Sequence, residues 1–138
     1  MGIVLHDYQT TVKTRASLTG TGVHSGKEVS ISFLPADADT GIVFQLINSD
    51  GLGREFRALF SEIGATDLCT MLGDPAGEHI ATVEHIMAAL FGLGIDNVLI
   101  EIDGHEVPIL DGSAMAFVEA IDQAGIETLP VKRRYIRV

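Results

Sequence analysis

Alternation of hydrophobic and polar residues predicts strands in the first half of the chain. In residues 29–33 (VSISF) the apolar residues alternate with serine, as in a strand with one buried face. The β-branched and aromatic run at 41–46 (GIVFQL) precedes a turn-forming stretch at 48–51 and is typical of a second strand. We expect these two strands to pair as a hairpin or meander, and the glycine-rich segment 18–26 to be a loop.

Hydrophobic residues at three- and four-residue spacing predict two helices in the second half. The first should begin with Thr82 as its N-cap and end at Gly92. The second should begin with Ser113 as its N-cap, after an Asp-Gly turn, and end at Gly125.

Two further strands complete the predicted element order. Alternation at 98–102 predicts one strand between the helices, and residues 134–138 (RYIRV) predict the last one. Strands, helix, strand, helix and strand together predict an α+β fold, with two helices packed on one face of a mixed or antiparallel sheet. The length of 138 residues fits a single domain over residues 1–138.

Charge and cysteine usage narrow the class of protein. The net charge is -10, and four of the nine basic residues lie in the last seven positions, so residues 1–131 carry -14. Such a surface repels phosphate backbones and disfavours nucleic-acid binding. The lone Cys69 cannot form an intrachain disulfide, and no targeting signal is visible, which favours a cytoplasmic protein. The most apolar stretch, 86–95, is half the roughly 20 residues of a transmembrane helix.

The segment Thr82-Val83-Glu84-His85 is the first place to look for chemistry. With Thr82 as N-cap, Glu84 and His85 take the second and third positions of the helix. Adjacent helical side chains diverge by about 100°, so these two could converge only on an atom in front of the helix N-terminus. That geometry suits a metal ligand beside a base. In the alternative interpretation, Glu84 complements the helix dipole and His85 is a polar residue at a helix end.

The chain offers no self-contained metal motif. A catalytic zinc needs three protein ligands, and the HExxH pattern is absent because Ala89 stands four residues after His85. If His85 binds a metal, its co-ligands lie far away in this sequence or on another polypeptide segment.

Five segments, in order, resemble the UDP-3-O-acyl-N-acetylglucosamine deacetylase family. They are Gly22–Gly26, Asp39–Phe44, Thr82–His85, Gly92–Asn97 and Glu106–Ala114. The resemblance implies a zinc amidohydrolase of lipid A synthesis in Gram-negative bacteria, with two similar α+β domains and an active site between them. It covers about residues 11–138 and only the family's first domain, so the second domain is expected to be absent.

The resemblance also implies roles for two adjacent residues. His85 corresponds to the zinc ligand that the first domain supplies, and Glu84 to the general base that activates the attacking water. These roles agree with metal-assisted hydrolysis, in which a carboxylate takes a proton from water.

Five other residues are candidates for the site by the same resemblance. Leu68, Cys69 and Thr70 align with a segment that lines the substrate cleft, although a lone cysteine is often a small buried hydrophobe. His24 is expected to support the site, or else to brace a glycine-rich turn. Asp111 is expected either to orient a ligand or to be a turn residue ahead of the Ser113 cap.

The chain departs from the family in what it lacks. The other zinc ligands, within an HKxxD-like pattern, and the histidine that protonates the leaving amine belong to the family's second domain. We therefore expect this chain to be the first domain of an enzyme that removes acetate from UDP-3-O-acyl-N-acetylglucosamine, and to be inactive alone.

Its partners would be the second deacetylase domain, or a second copy of the chain that binds through the vacated interface. The alternative is a non-catalytic binding or regulatory relative that keeps the fold. An RNA-binding module is disfavoured by the charge.

Overall fold

Nine strands and two helices form within the described residues of the computed structural model, which are 7–59, 64, 70–74 and 76–135. In chain order the elements are β1 (Tyr8–Val12), β2 (Ala16–Thr21), β3 (Glu28–Leu34), β4 (Ile42–Asn48), β5 (Gly51–Arg57), β6 (Met71–Gly73), β7 (His79–Ala81), α1 (Glu84–Leu93), β8 (Val98–Ile102), α2 (Met115–Ala124) and β9 (Ile126–Lys132).

The main sheet has the strand order β2-β3-β8-β4-β5, with β8 antiparallel to β3 and parallel to β4. The predicted α+β class with a mixed sheet is confirmed. The predicted direct pairing of the strands at 29–33 and 41–46 is wrong, because β8 lies between them. Its inward residues Val98, Ile100 and Ile102 are all fully buried, so this strand belongs at the sheet centre with both edges paired. The connection through α1 brings it back parallel to β4.

A row of large side chains across the sheet forms the centre of the core. The strand register aligns Phe33, Ile100, Phe44 and Phe56 on neighbouring strands, and all four are fully buried. The helices pack on this core, and the ring of Phe117 from α2 meets Phe33 edge to face with centroids 6.4 Å apart. The predicted packing of both helices on one sheet face follows from this shared core.

Helix α1 begins and ends one or two residues later than predicted. Val83, not Thr82, occupies the N-cap position, because the Thr82 hydroxyl donates a hydrogen bond to Glu106 instead of serving the helix. Gly92 lies inside the helix. Gly94 follows its last residue in the left-handed conformation, with its N–H bonded to the last-turn carbonyls.

Helix α2 follows its prediction more closely. Ala114 occupies the N-cap position, yet the Ser113 hydroxyl one residue earlier accepts the Met115 N–H at 3.2 Å. Gly125 follows the last residue, as predicted. Each described helix has ten residues, and neither combines the length and hydropathy that a bilayer span requires.

Two other predictions are corrected. The expected loop at 18–26 is partly strand β2, and only its second half is a turn. The last strand is β9, paired with β1, whereas 134 and 135 are not in a strand and 136–138 lie outside the described residues. Strand β9 is mostly exposed and shows no alternation, and its Pro130 lies where the register with β1 shifts. A pattern of buried positions therefore could not reveal it.

Two phenylalanines of opposite exposure test the position of the core. We expect Phe44→Ala to lower the free energy of unfolding by about 3 to 5 kcal/mol, because Phe44 is fully buried in the central row. The matched variant Phe91→Ala removes the same side chain from a position that is 89% exposed, and should change stability by no more than about 0.5 kcal/mol. Urea unfolding of both variants measures the difference, and equal losses would contradict this core.

Candidate active site at the start of helix α1

An unusual turn at Thr82 leads the chain from β7 into α1. Thr82 has φ +62°, a left-handed conformation that is rare for a β-branched residue. Two hydrogen bonds hold it there: its N–H donates to the Thr70 carbonyl at 2.9 Å, and its hydroxyl donates to Glu106 Oε2 at 2.9 Å. The residue itself is buried. The direction in which α1 starts is therefore fixed by groups outside the helix.

Glu84 and His85 occupy the first two positions of α1, one position earlier than predicted, because Val83 is the N-cap. Both side chains are half-buried, so neither is sealed in the core. Glu84 Oε1 accepts the Thr70 N–H at 2.6 Å. Glu84 Oε2 is buried and has no hydrogen-bond partner among the described residues. Because an unpaired buried polar atom is costly, this oxygen indicates a place for a ligand or water.

Thr70 is in direct contact with this site. Its N–H binds the Glu84 carboxylate, while its carbonyl accepts the N–H groups of Thr82 and Val83. The other two cleft candidates, Leu68 and Cys69, lie outside the described residues.

Asp111 is an exposed turn residue with local partners. Its Oδ1 accepts the Ser113 N–H at 3.0 Å and the Ser113 hydroxyl at 2.8 Å. These bonds hold the pKa of Asp111 below its ordinary value, and the charge of His85 adds a smaller lowering. The hydrogen bonds fit the turn role that the sequence left open. An orienting role for Asp111 stays a prediction, although the residue lies within electrostatic range of His85.

Glu106 is the residue that sequence reasoning missed. It is only 5% exposed, and its carboxylate accepts hydrogen bonds from two separate segments of the chain. Oε1 accepts the N–H groups of His24 and Ser25 at 3.0 and 2.9 Å, and Oε2 accepts the Thr82 hydroxyl. Burial raises the pKa of Glu106, but these bonds and one from the His24 ring outweigh it and lower the pKa to about 2. The carboxylate is therefore ionised at neutral pH.

His24 belongs to the same cluster. Its Nδ1 lies 2.6 Å from Glu106 Oε2, and its side chain is 45% exposed. The neighbouring Gly22 is required by this contact, since a Cβ there would lie 2.2 Å from Glu106 Oε1. The structure thus brings His24 to the same carboxylate that holds Thr82. The only sequence signal for Glu106 was its place in the fifth resembling segment, because no periodicity assigns a role to one glutamate.

The family model for UDP-3-O-acyl N-acetylglycosamine deacetylase, LpxC, matches residues 9–138. The chain belongs to the LpxC family. This confirms the resemblance, and the five segments that carried it include the Thr82–His85 turn and the segment of Glu106.

LpxC relatives are similar along almost the whole chain. The UDP-3-O-acyl-N-acetylglucosamine deacetylases of Brucella ovis and Brucella canis are each 50% identical over 134 residues, which cover 97% of this chain and 46% of the relative. The enzyme of Brucella melitensis biotype 2 is 49% identical with the same coverage. This LpxC-family chain therefore spans less than half the length of these relatives.

Metal ligands are sparse in the part of this LpxC-family chain that the structure describes. No three histidine, cysteine, aspartate or glutamate side chains there lie close enough together to hold a metal ion. His85 and Glu84 are adjacent, but together they fall short of the three protein ligands of a catalytic zinc site.

The buried carboxylate predicts a specific pH dependence of stability. Because Glu106 has a folded-state pKa of about 2 against an ordinary value of 4.5, its stabilisation is complete above about pH 4.5 and is lost as the pH falls towards 2. The loss should amount to about 3 kcal/mol. Urea unfolding of wild type and Glu106→Gln at several pH values measures it. Wild type should be the more stable at pH 7, and the difference should shrink over this window; a constant difference would contradict the assignment.

Proposed function

We propose that this chain is one half of a UDP-3-O-acyl-N-acetylglucosamine deacetylase of lipid A synthesis, and that it supplies Glu84 and His85 to a zinc-dependent active site. The remaining half of the enzyme would complete that site. The observation that carries the proposal is the buried Glu84 Oε2, which no described residue pairs, beside the half-buried His85 at the start of α1. Family membership and the names of the relatives support the reaction. A cytoplasmic location stays a prediction.

The residues present fit a zinc ion that is shared with other ligands. An imidazole nitrogen from His85 is a preferred zinc ligand. The Glu84 Oε2 atom adds a second polar group that has no competing partner in the part of the chain that the structure describes. When bound, zinc would polarise the substrate carbonyl and make water more acidic. The other ligands would come from the half of the enzyme that this chain does not match.

Glu84 is suited to act as the base. Its Oε1 is held by the Thr70 N–H, which fixes the carboxylate plane. Its Oε2 has lone pairs that no described residue uses, so this oxygen could accept a proton from a water molecule that reaches it. The first amides of α1 have no side-chain cap among the described residues, so their partial positive charge faces the space in front of the helix.

The proposed reaction is amide hydrolysis. The water oxygen bonds to the acetyl carbonyl carbon as Glu84 takes one water proton, and the carbon–nitrogen bond then breaks. The departing nitrogen gains a proton, so the products are acetate and a 2-amino sugar. The donor of that last proton belongs to the other half of the enzyme, as does most of the acyl-chain site.

Exposed apolar side chains on the helices support contact with a second half of the enzyme. Phe91 on α1 is 89% exposed and Met115 on α2 is 56% exposed. Large apolar groups on the helix layer, in a chain that covers 46% of its relatives, fit a surface that the second half of the enzyme covers. Self-association through the same surface would be the outcome when that half is absent.

Complementation tests the proposal directly. The chain is mixed with, or fused to, the part of the Brucella ovis enzyme that it does not match, and acetate release is measured with and without a zinc chelator. We expect zinc-dependent activity from the combination and none from the chain alone. Glu84→Gln should lower turnover by at least about 100-fold, because it removes the base. It should leave zinc binding in place.

Two exposed residues provide matched controls. Glu119→Gln changes a helical glutamate on α2, and His105→Gln changes an exposed histidine; both should leave turnover within about twofold. His85→Gln should instead lower both zinc content and turnover. If mixture and fusion stay inert while the intact relative works, the proposal fails and a non-catalytic module is favoured.

A further inference from the structure

We propose that Glu106 is a positioning residue of the active site, which holds the turn before α1 and the His24 loop in one arrangement and so aims Glu84. This inference rests on the proposed function, because it assigns a role within that same site. Glu106 touches neither Glu84 nor His85 in any described contact, so it would act through its partners.

The carboxylate of Glu106 connects two segments that are far apart in the sequence. One is the turn containing His24 and Ser25, which supplies two backbone N–H groups and the imidazole at 2.6 Å. The other is Thr82, which supplies its hydroxyl. Since Glu106 is 95% buried, an ionised carboxylate there needs donors, and losing one segment would leave it under-paired.

A short chain of contacts leads from this carboxylate to the base. The Thr82 hydroxyl binds Glu106, and the Thr82 N–H binds the Thr70 carbonyl. The Thr70 N–H then binds Glu84 Oε1 at 2.6 Å. Because Thr82 is held at φ +62°, releasing its hydroxyl would let the backbone relax and shift both Thr70 and the start of α1.

Glu106 also decides which ring nitrogen of His24 carries a proton. An ionised carboxylate only accepts hydrogen bonds, so the 2.6 Å contact requires a proton on His24 Nδ1. In the neutral ring, Nε2 then carries the free lone pair. Glu106 therefore fixes the tautomer of an imidazole that is 45% exposed.

The experiment compares Glu106→Gln with a control carboxylate at the other end of α1. Glutamine keeps the volume and an oxygen that can accept the backbone N–H groups of His24 and Ser25. Its NH2 group in place of Oε2 can accept neither from the Thr82 hydroxyl nor from the His24 ring. The control is Asp96→Asn, since Asp96 accepts from the Thr10 N–H at 2.8 Å and from Arg133 at 2.9 Å beyond the C-terminus of α1. Both variants lose a structural carboxylate, but only Glu106→Gln loses the group that is proposed to position the turn before α1.

The first measurement uses the chain alone and nuclear magnetic resonance. In Glu106→Gln we expect the Thr70 amide proton to move upfield and to exchange at least about tenfold faster, after correction for global stability. We also expect the His24 ring to lose its single Nδ1–H tautomer. Asp96→Asn should change neither. Thr82→Val, which lacks the hydroxyl, should move the Thr70 amide as Glu106→Gln does, whereas Thr82→Ser should not. Unchanged Thr70 and His24 signals in Glu106→Gln would overturn the inference.

The second measurement uses the complemented enzyme. Glu106→Gln should lower kcat by about 10- to 100-fold with little change in KM, because it misplaces the base and leaves substrate binding intact. Asp96→Asn should stay within about threefold. An inert wild-type combination would refute the proposed function and this role with it. An active wild type with a folded, equally active Glu106→Gln would refute only the positioning role.

Discussion

The arrangement of the site depends on one buried negative charge. The Glu106 carboxylate is removed from water, and an ion in that position is tolerated only when donors surround it. The donors come from a glycine-rich turn and from a threonine in a strained conformation. If either segment moved away, the buried carboxylate would lose a hydrogen-bond donor, which is energetically costly. The same requirement explains Gly22, where any side chain would displace the carboxylate.

Strand pairing positions the Glu106 carboxylate. Glu106 follows β8, the central strand whose inward residues are fully buried, and forms a parallel bridge with Ala81 at the end of β7. The Val107 N–H donates to the Ala81 carbonyl, and the Ala81 N–H donates to that of His105. Thr82 is the next residue in the chain. The carboxylate and the hydroxyl therefore meet because their backbones are already paired.

Patterns of nearby residues in the sequence predicted the elements whose positions depend on local interactions. The alternation in β3 and β8 and the spacing in α1 and α2 located those elements. The predicted cap placed Glu84 and His85 at a helix start, and the resemblance added their roles. The pairing order failed because alternation shows which face is buried and not which strand is adjacent. Strand β9 was missed because it is held by backbone bonds to β1 and buries little. Glu106 was missed because its partners are distant in sequence.

Thr82 and Ser113 show why a capping rule can find a helix and still misjudge a residue. Each is a hydroxyl residue two positions before the first residue of its helix. Ser113 accepts the Met115 N–H and so serves α2 as capping physics predicts. Thr82 instead turns its hydroxyl to Glu106, and α1 begins without a side-chain cap. A cap contributes about 1 kcal/mol, whereas an under-paired buried carboxylate costs more. The Thr82 hydroxyl therefore binds the Glu106 carboxylate and not a helix amide. The amides at the start of α1 are thereby left without a side-chain cap from any described residue.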